Sequence, residues 1–171
     1  MLLSGTVSNG QFGQAVTIME RRFPFGRTGQ VREVATLTTR SGGEFGVAVR
    51  PVIHAVYTAR IGTTPSDSVA VNVRPQVRLS HLGPHRFLLR VLAVRSFVGK
   101  YGVLQRWNKK AQVWVGVRRV YPTRSTAGIS PTIVSRRVFR ARMGRVMIRV
   151  LVPLGQTVPG YLSGSSNAVT A

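Results

Sequence analysis

Apolar residues in this chain recur at every second position in short runs, and glycine, proline and Ser/Asn-Gly turns punctuate the runs. The pattern predicts a short strand within residues 1–12, carrying Leu2, Leu3, Thr6 and Val7 and closed by the turn Ser8-Asn9-Gly10. A strand over 15–22 follows, with Val16, Ile18 and Met19 read as inward, and Phe23-Pro24-Phe25-Gly26 breaks it. Further strands are expected over 31–39, 45–49, 53–61 and 68–73, with Ser41-Gly42-Gly43 as a tight turn before the second of these. A second set is expected over 76–80, 86–95, 101–107, 112–121, 132–141, 145–152 and 166–170. Its turns fall at His81-Leu82-Gly83-Pro84, Phe97-Val98-Gly99, Asn108-Lys109-Lys110, 122–131 and 153–160. No window shows capped helical periodicity.

Arg74-Pro75 is the best boundary between the sets, because proline lacks the ladder donor and holds the preceding residue extended. The fold class read from this pattern is all-β, as two tandem β-sandwiches over 1–74 and 75–171. The halves also read as diverged copies. Gly13-Gln14-Ala15-Val16-Thr17-Ile18 lines up with Gly99-Lys100-Tyr101-Gly102-Val103-Leu104, and Gly29 to Val34 with Lys110 to Val117 across a small gap. Near each end, Ser66 to Val71 lines up with Ser165 to Thr170.

Composition changes this picture through charge. The 171 residues are 43% hydrophobic, enough for packed cores, yet the formal charge is +21. Residues 1–75 hold 8 Arg against Glu20, Glu33, Glu44 and Asp67, a net +4, whereas 76–171 hold 14 Arg and 3 Lys against no acid, a net +17. Such self-repulsion opposes compaction unless salt or an anionic partner offsets it. Arginine suits that partner, because its planar fork meets carboxylate or phosphate in bidentate geometry.

Strand alternation puts Phe87, Leu89, Val91 and Ala93 on one face and Arg86 and Arg90 on the other. By the same alternation Arg145 and Arg149 oppose Val146, Ile148, Val150 and Val152, while Arg136, Arg140 and Arg142 oppose Phe139 and Ala141. With Arg118, these arginines are the candidate anion- or partner-binding residues: Arg86, Arg90, Arg118, Arg136, Arg140, Arg142, Arg145 and Arg149. Tyr101, Trp107, Trp114 and Tyr121 are available to stack on bases, although tryptophan in a sandwich strand is more often a core residue.

Other chemistry is poorly represented. The absence of cysteine removes disulfides, Cys-ligated zinc, iron–sulfur clusters and a Cys nucleophile. His54, His81 and His85 lack a nearby acidic residue to complete a zinc site or a triad. The four acids are too scattered to read as a glycosidase pair, and they are expected to pair weakly with Arg21, Arg22 or Arg32 at the surface. The pattern points to no cofactor, no metal and no enzyme. No apolar stretch is long enough to span a bilayer, and Met1 to Gly5 has no basic n-region with a following apolar core.

Some of these features come together in one family. The stretch Gly5-x-Val7-x-x-Gly10-x-x-Gly13-x-x-Val16, the turn Ser41-Gly42-Gly43 with Phe45, and Tyr57-x-Ala59-Arg60 mark the first half. Leu104-Gln105-Arg106, Val113-Trp114 and Gly160-Tyr161-Leu162-x-Gly164-x-Ser166 mark the second. With these residues the chain resembles the tandem immunoglobulin-like (fibronectin-III-like) β-sandwich repeats of bacterial secreted and cell-surface proteins. The resemblance implies an adhesive, spacer or structural role at the cell exterior, or within a filament or particle, and no catalytic residues. Two departures stand out: the arginine load, and a first repeat whose opening strand is missing from the pattern, which would let a neighbouring chain add a strand.

The leading expectation is therefore a structural or binding protein that docks on an acidic protein subunit or an anionic polymer. An intracellular nucleic-acid-associated protein is the second, and a carbohydrate-binding module using Trp107 or Trp114 the third.

Overall fold

The computed structural model describes residues 1–25 and 30–171. The chain divides into two compact units, Met1–Val73 and Arg74–Ala171. Both are all-β and built from antiparallel sheets.

In the first unit, β1 (Leu2–Thr6) pairs β4 (Glu44–Ala48) in a two-stranded sheet. A second sheet is centred on β2 (Ala15–Arg22), flanked by β3 (Val31–Thr38) and β5 (Ala55–Ile61). The short β6 (Thr64–Pro65) and β7 (Val69–Val71) both pair β5. The sheets share one core in which Val16, Ile18, Val49, Ala55 and Tyr57 are buried, with Leu3, Phe45 and Val47 packed against them from the smaller sheet. That arrangement is sandwich-like. Gly5 stands opposite Phe45, whose ring lies 2.6 Å from where a Cβ would be, so the ring occupies the space of the missing side chain. Gly43 has φ +75°, and a Cβ there would meet Val7 O at 2.9 Å; only glycine fits this turn.

In the second unit, β8 (Gln76–Gly83), β9 (Arg86–Ala93), β13 (Ile133–Arg140) and β12 (Arg124–Ala127) form one sheet in the order β12-β13-β9-β8. The other runs β11 (Val113–Val120), β10 (Gly102–Asn108), β14 (Met147–Val152), with β15 (Gly164–Ser165) and β16 (Val169–Thr170) both on β14. A single helical turn, α1 (Leu154–Thr157), follows β14. Phe87, Leu89, Val91, Leu104, Ile148, Val150 and Tyr161 are fully buried. The Tyr161 hydroxyl accepts a hydrogen bond from Val94 N–H at 2.8 Å, so the largest core side chain keeps its polar end satisfied.

The units repeat one another. β1-β4 and β9-β13 are equivalent pairs, as are β3-β2-β5 and β11-β10-β14. Each second sheet carries a bulge at the same place: Val34 is the extra residue on β3 beside Ile18, and Val117 the extra residue on β11 beside Leu104. Ser66 Oγ accepts from Ala59 N–H at 3.0 Å, and Ser166 Oγ accepts from Val150 N–H at 2.9 Å, on equivalent strands. Ser66 therefore matches Ser166, and the end-to-end alignment read from sequence is one residue out of register. The units differ at both edges of the β9-β13 sheet. β9 has β8 beside it, whereas its equivalent β1 has β4 alone. β13 also has β12 beside it, whereas its equivalent β4 has β1 alone.

Four local expectations are corrected. The segment 122–131 is not only a turn, because it contains β12, an exposed polar edge strand held by pairing with β13 and so lacking the alternation that marks burial. β8 continues to Gly83 through a bulge, and the turn is Pro84-His85, with His85 at φ 57°. Residues 153–160 include the helical turn α1. In β2 the third inward residue is Glu20, at 2% exposure, and not Met19. Gly26 of the expected break and Gly29 of the repeat alignment lie outside the described residues.

Candidate functional site

Pairing register brings together arginines that are far apart in sequence. Arg124 stands opposite Arg136, Arg136 opposite Arg90, and Arg90 opposite Arg78. One arginine from each of four adjacent strands thus lies in a single row across the sheet β12-β13-β9-β8. Strands lie about 4.8 Å apart, so the row spans about 14 Å. Arg140 and Arg86 are also directly opposite each other, four residues further along the same face. Between the two rows stand Val138, Leu88 and Ser80.

The electrostatics of this face are one-sided. The unit contains no acidic side chain, and among the described residues the only salt bridges join Arg22 and Arg32 to Glu20 in the first unit. Arg78, Arg124 and Arg136 are exposed, while Arg90, at the centre, is half-buried with an Nε that has no hydrogen-bond partner. Like charges directly opposite each other across a ladder oppose folding. An anion laid across the row would relieve this repulsion.

Of the eight sequence candidates, Arg86, Arg90, Arg136 and Arg140 share this face. Arg78 and Arg124 belong to it but were not among the candidates, since nothing local to β8 or β12 shows which partner strand they meet. The other four lie elsewhere. Arg118 sits with its guanidinium 5.7 Å from the Phe139 ring centroid and donates to the Arg140 carbonyl oxygen. Arg142 and Arg145 are exposed in the connection between β13 and β14. Arg149 belongs to the opposite sheet, with its Nε donating to Gln105 Oε1 at 2.8 Å.

That opposite sheet carries the aromatics. Trp107 and Trp114 face each other across β10 and β11 with centroids 5.3 Å apart, and Arg149 lies 4.3 Å from the Trp114 centroid. Burial pulls the Arg149 guanidinium somewhat below its ordinary value. Towards the other end, Tyr101 and Tyr121 stand 5.9 Å apart, with Arg119 at 4.4 Å from Tyr101. Both tryptophans are half-buried and lie opposite the buried Gly102 and Leu104, so the expectation of core tryptophans is corrected. Alternation decides it: the inward positions of β10 are even-numbered and Trp107 is odd.

Glu20 was expected to make weak surface pairs. Instead it is buried, accepting from Arg32 Nε at 2.5 Å, Arg22 Nε at 2.8 Å and Tyr57 Oη at 2.7 Å. Burial alone pushes this carboxyl up, but Tyr57 and the two guanidiniums outweigh it and hold it below the ordinary value. Burial likewise pushes the Tyr57 hydroxyl up, and its bond to Glu20 adds to that. With Tyr57 in the core and both acceptor oxygens occupied, this cluster is structural. Among the described residues no group of three His, Asp or Glu side chains converges on a metal position, and no helix is long and apolar enough to cross a membrane.

No protein-family model matches the chain, and no curated protein matches it either.

Proposed function

We propose that the chain is a non-enzymatic binding module that docks on an anionic polymer through the outer face of β12-β13-β9-β8. The single observation that carries this reading is the row Arg124, Arg136, Arg90 and Arg78, one per strand, with no acidic side chain in the unit to neutralise it. A charge repeated every strand matches a partner whose own charge repeats, better than it matches one small anion. The two units are read as tandem immunoglobulin-like repeats of a secreted or cell-surface protein. Their shared strand pairing, shared bulge and shared Ser66/Ser166 contact support that, and the resemblance supplies the cell-exterior setting.

The test uses the full chain against heparin, poly-glutamate, single-stranded DNA and neutral dextran over a salt series. Binding to the acidic polymers is expected to weaken steeply with salt, because arginines displace condensed counterions. Arg90→Gln with Arg136→Gln should lower affinity at least tenfold. Equal binding to dextran, or affinity that ignores salt, rejects the reading. Preference for poly-glutamate points to an acidic protein subunit, and preference for DNA over the other polyanions to the nucleic-acid alternative.

A further inference from the structure

Away from the arginine row, the tip of the β10-β11 hairpin and the start of β14 enclose a half-open cleft of about 380 Å³. Small-ligand clefts run from about 300 to 1,000 Å³. Arg106, Lys109, Lys110 and Arg145 line it, together with Trp107 and Met147. Asn108 fixes the tip, its Oδ1 accepting from the backbone N–H groups of Lys110 at 3.0 Å and Ala111 at 3.1 Å. None of the four cationic side chains has a hydrogen-bond or ion-pair partner among the described residues, and the unit has no acid to supply one. Lysines at a hairpin tip are ordinarily just solvated. Here they share the lining of one concavity with Arg145, Trp107 and Met147, while Arg106, paired with Ile148, reaches it from the other face of β10.

We propose that this cleft binds an acidic sugar residue, a uronate or a sulfated sugar. The ring's apolar face would pack on Trp107 and Met147, with its carboxylate or sulfate held among Lys109, Lys110 and Arg145. The chemistry asks for both halves. Three unpaired cations select a negative group, and the tryptophan selects a ring with a flat apolar side. A nucleic-acid strand fits less well. Trp107 is tilted 56° against Trp114, and Trp114 already carries Arg149. β10 carries no other aromatic, and Tyr101 just before it is six residues away or about 20 Å, so successive bases have no continuous platform. This site deepens the polymer reading by naming a sugar acid as the repeating unit, and it is tested separately from the arginine row.

The experiment follows tryptophan emission of the full chain, since both tryptophans lie at this end of the second unit. The probes are tri-galacturonate, a sulfated disaccharide, neutral maltotriose, inorganic phosphate and the oligonucleotide dT3. A saturable change with tri-galacturonate or the sulfated disaccharide is expected, at least tenfold tighter than with maltotriose or phosphate. The first probe responding alone identifies uronate, the second alone sulfate. Lys110→Gln with Arg145→Gln, both exposed positions that leave Trp107 in place, should weaken the change at least tenfold. Arg90→Gln with Arg136→Gln should leave it unaltered while weakening binding of the long polymer. No saturable change with either acidic sugar, equal binding of maltotriose or dT3, or indifference to the Lys110/Arg145 pair overturns the site without touching the arginine-row reading.

Discussion

Arg90 and Arg136 stand directly opposite each other on neighbouring strands, and each has a further arginine on its other side, Arg78 and Arg124. Nothing in the unit neutralises them, so the sheet is held together by its apolar face against its own charge. Arg90→Leu removes the central charge and the unpartnered Nε. It is expected to stabilise the second unit by about 0.5–1 kcal/mol at low salt, and by less at high salt. Thermal melts read by tryptophan emission check this. An unchanged or lower Tm at low salt counts against repulsion in the row.

Glu20 ties Tyr57, Arg22 and Arg32 together beneath β2 and β5. Glu20→Gln leaves the arginines without their carboxylate. Because both arginines are partly exposed, the loss falls below that of a wholly buried pair, at about 2 kcal/mol. Hydrogen exchange at the Val16 and Ile18 amides reports on this unit, and faster exchange is the expected outcome.

The first unit should be acid-sensitive in two stages. His54 Nδ1 accepts from Val73 N–H at 2.9 Å, and burial pushes its pKa below the ordinary 6.5. The folded state therefore favours neutral His54, and its contribution is complete above pH 6.5 and lost as pH falls through the lowered value. Glu20, also lowered, contributes fully above its ordinary 4.5 and is lost further down. Both slopes have the same sign. Exchange-detected stability of the first unit should fall on acidification from pH 7, and His54→Gln should flatten the upper stage.

Ser66 and Ser166 occupy equivalent positions but differ in burial, Ser166 being 8% exposed and Ser66 open to solvent. Ser166→Ala leaves the Val150 N–H without its hydroxyl partner away from water, a cost of about 1–3 kcal/mol. At Ser66→Ala water replaces the hydroxyl, and the cost stays below about 0.5 kcal/mol. Denaturant unfolding of the two variants, followed by tryptophan emission for the second unit and by exchange for the first, compares them directly.

Edge pairing gives the last prediction. In β1, Met1 and Val49 exchange backbone bonds and Val7 N–H donates to Gly43 O, so odd residues bond to β4 while Leu2, Ser4 and Thr6 turn their backbone groups to the free edge. Strand addition there should produce concentration-dependent association in sedimentation velocity, which Ser4→Pro removes by taking away an edge donor. A monomer at every concentration rules it out.

Much of the architecture was legible in the chain. Period-two alternation marked nearly every long strand, because a sheet face buried against a core must be apolar at every second residue, as at Phe87, Leu89 and Val91 or Ile148, Val150 and Val152. Charge was legible too, since a segment with no Asp or Glu cannot neutralise its arginines however it folds. The edge strand β12 was not, because an exposed strand held only by backbone pairing needs no pattern. Nor was the four-arginine row. It depends on register between β8, β9, β12 and β13, and hydrogen-bonded pairing fixes that register among residues up to 46 positions apart. The arginines expected to share one wall separated for the same reason, with Arg149 on the far sheet and Arg118 beside Phe139. Glu20 shows the division most simply. Strict alternation from Val16 and Ile18 points to Glu20, but its charge argues for the surface, which is why Met19 is the third inward residue expected from sequence. Only the tertiary fold supplied Tyr57 and Arg32 to make the buried carboxylate tolerable.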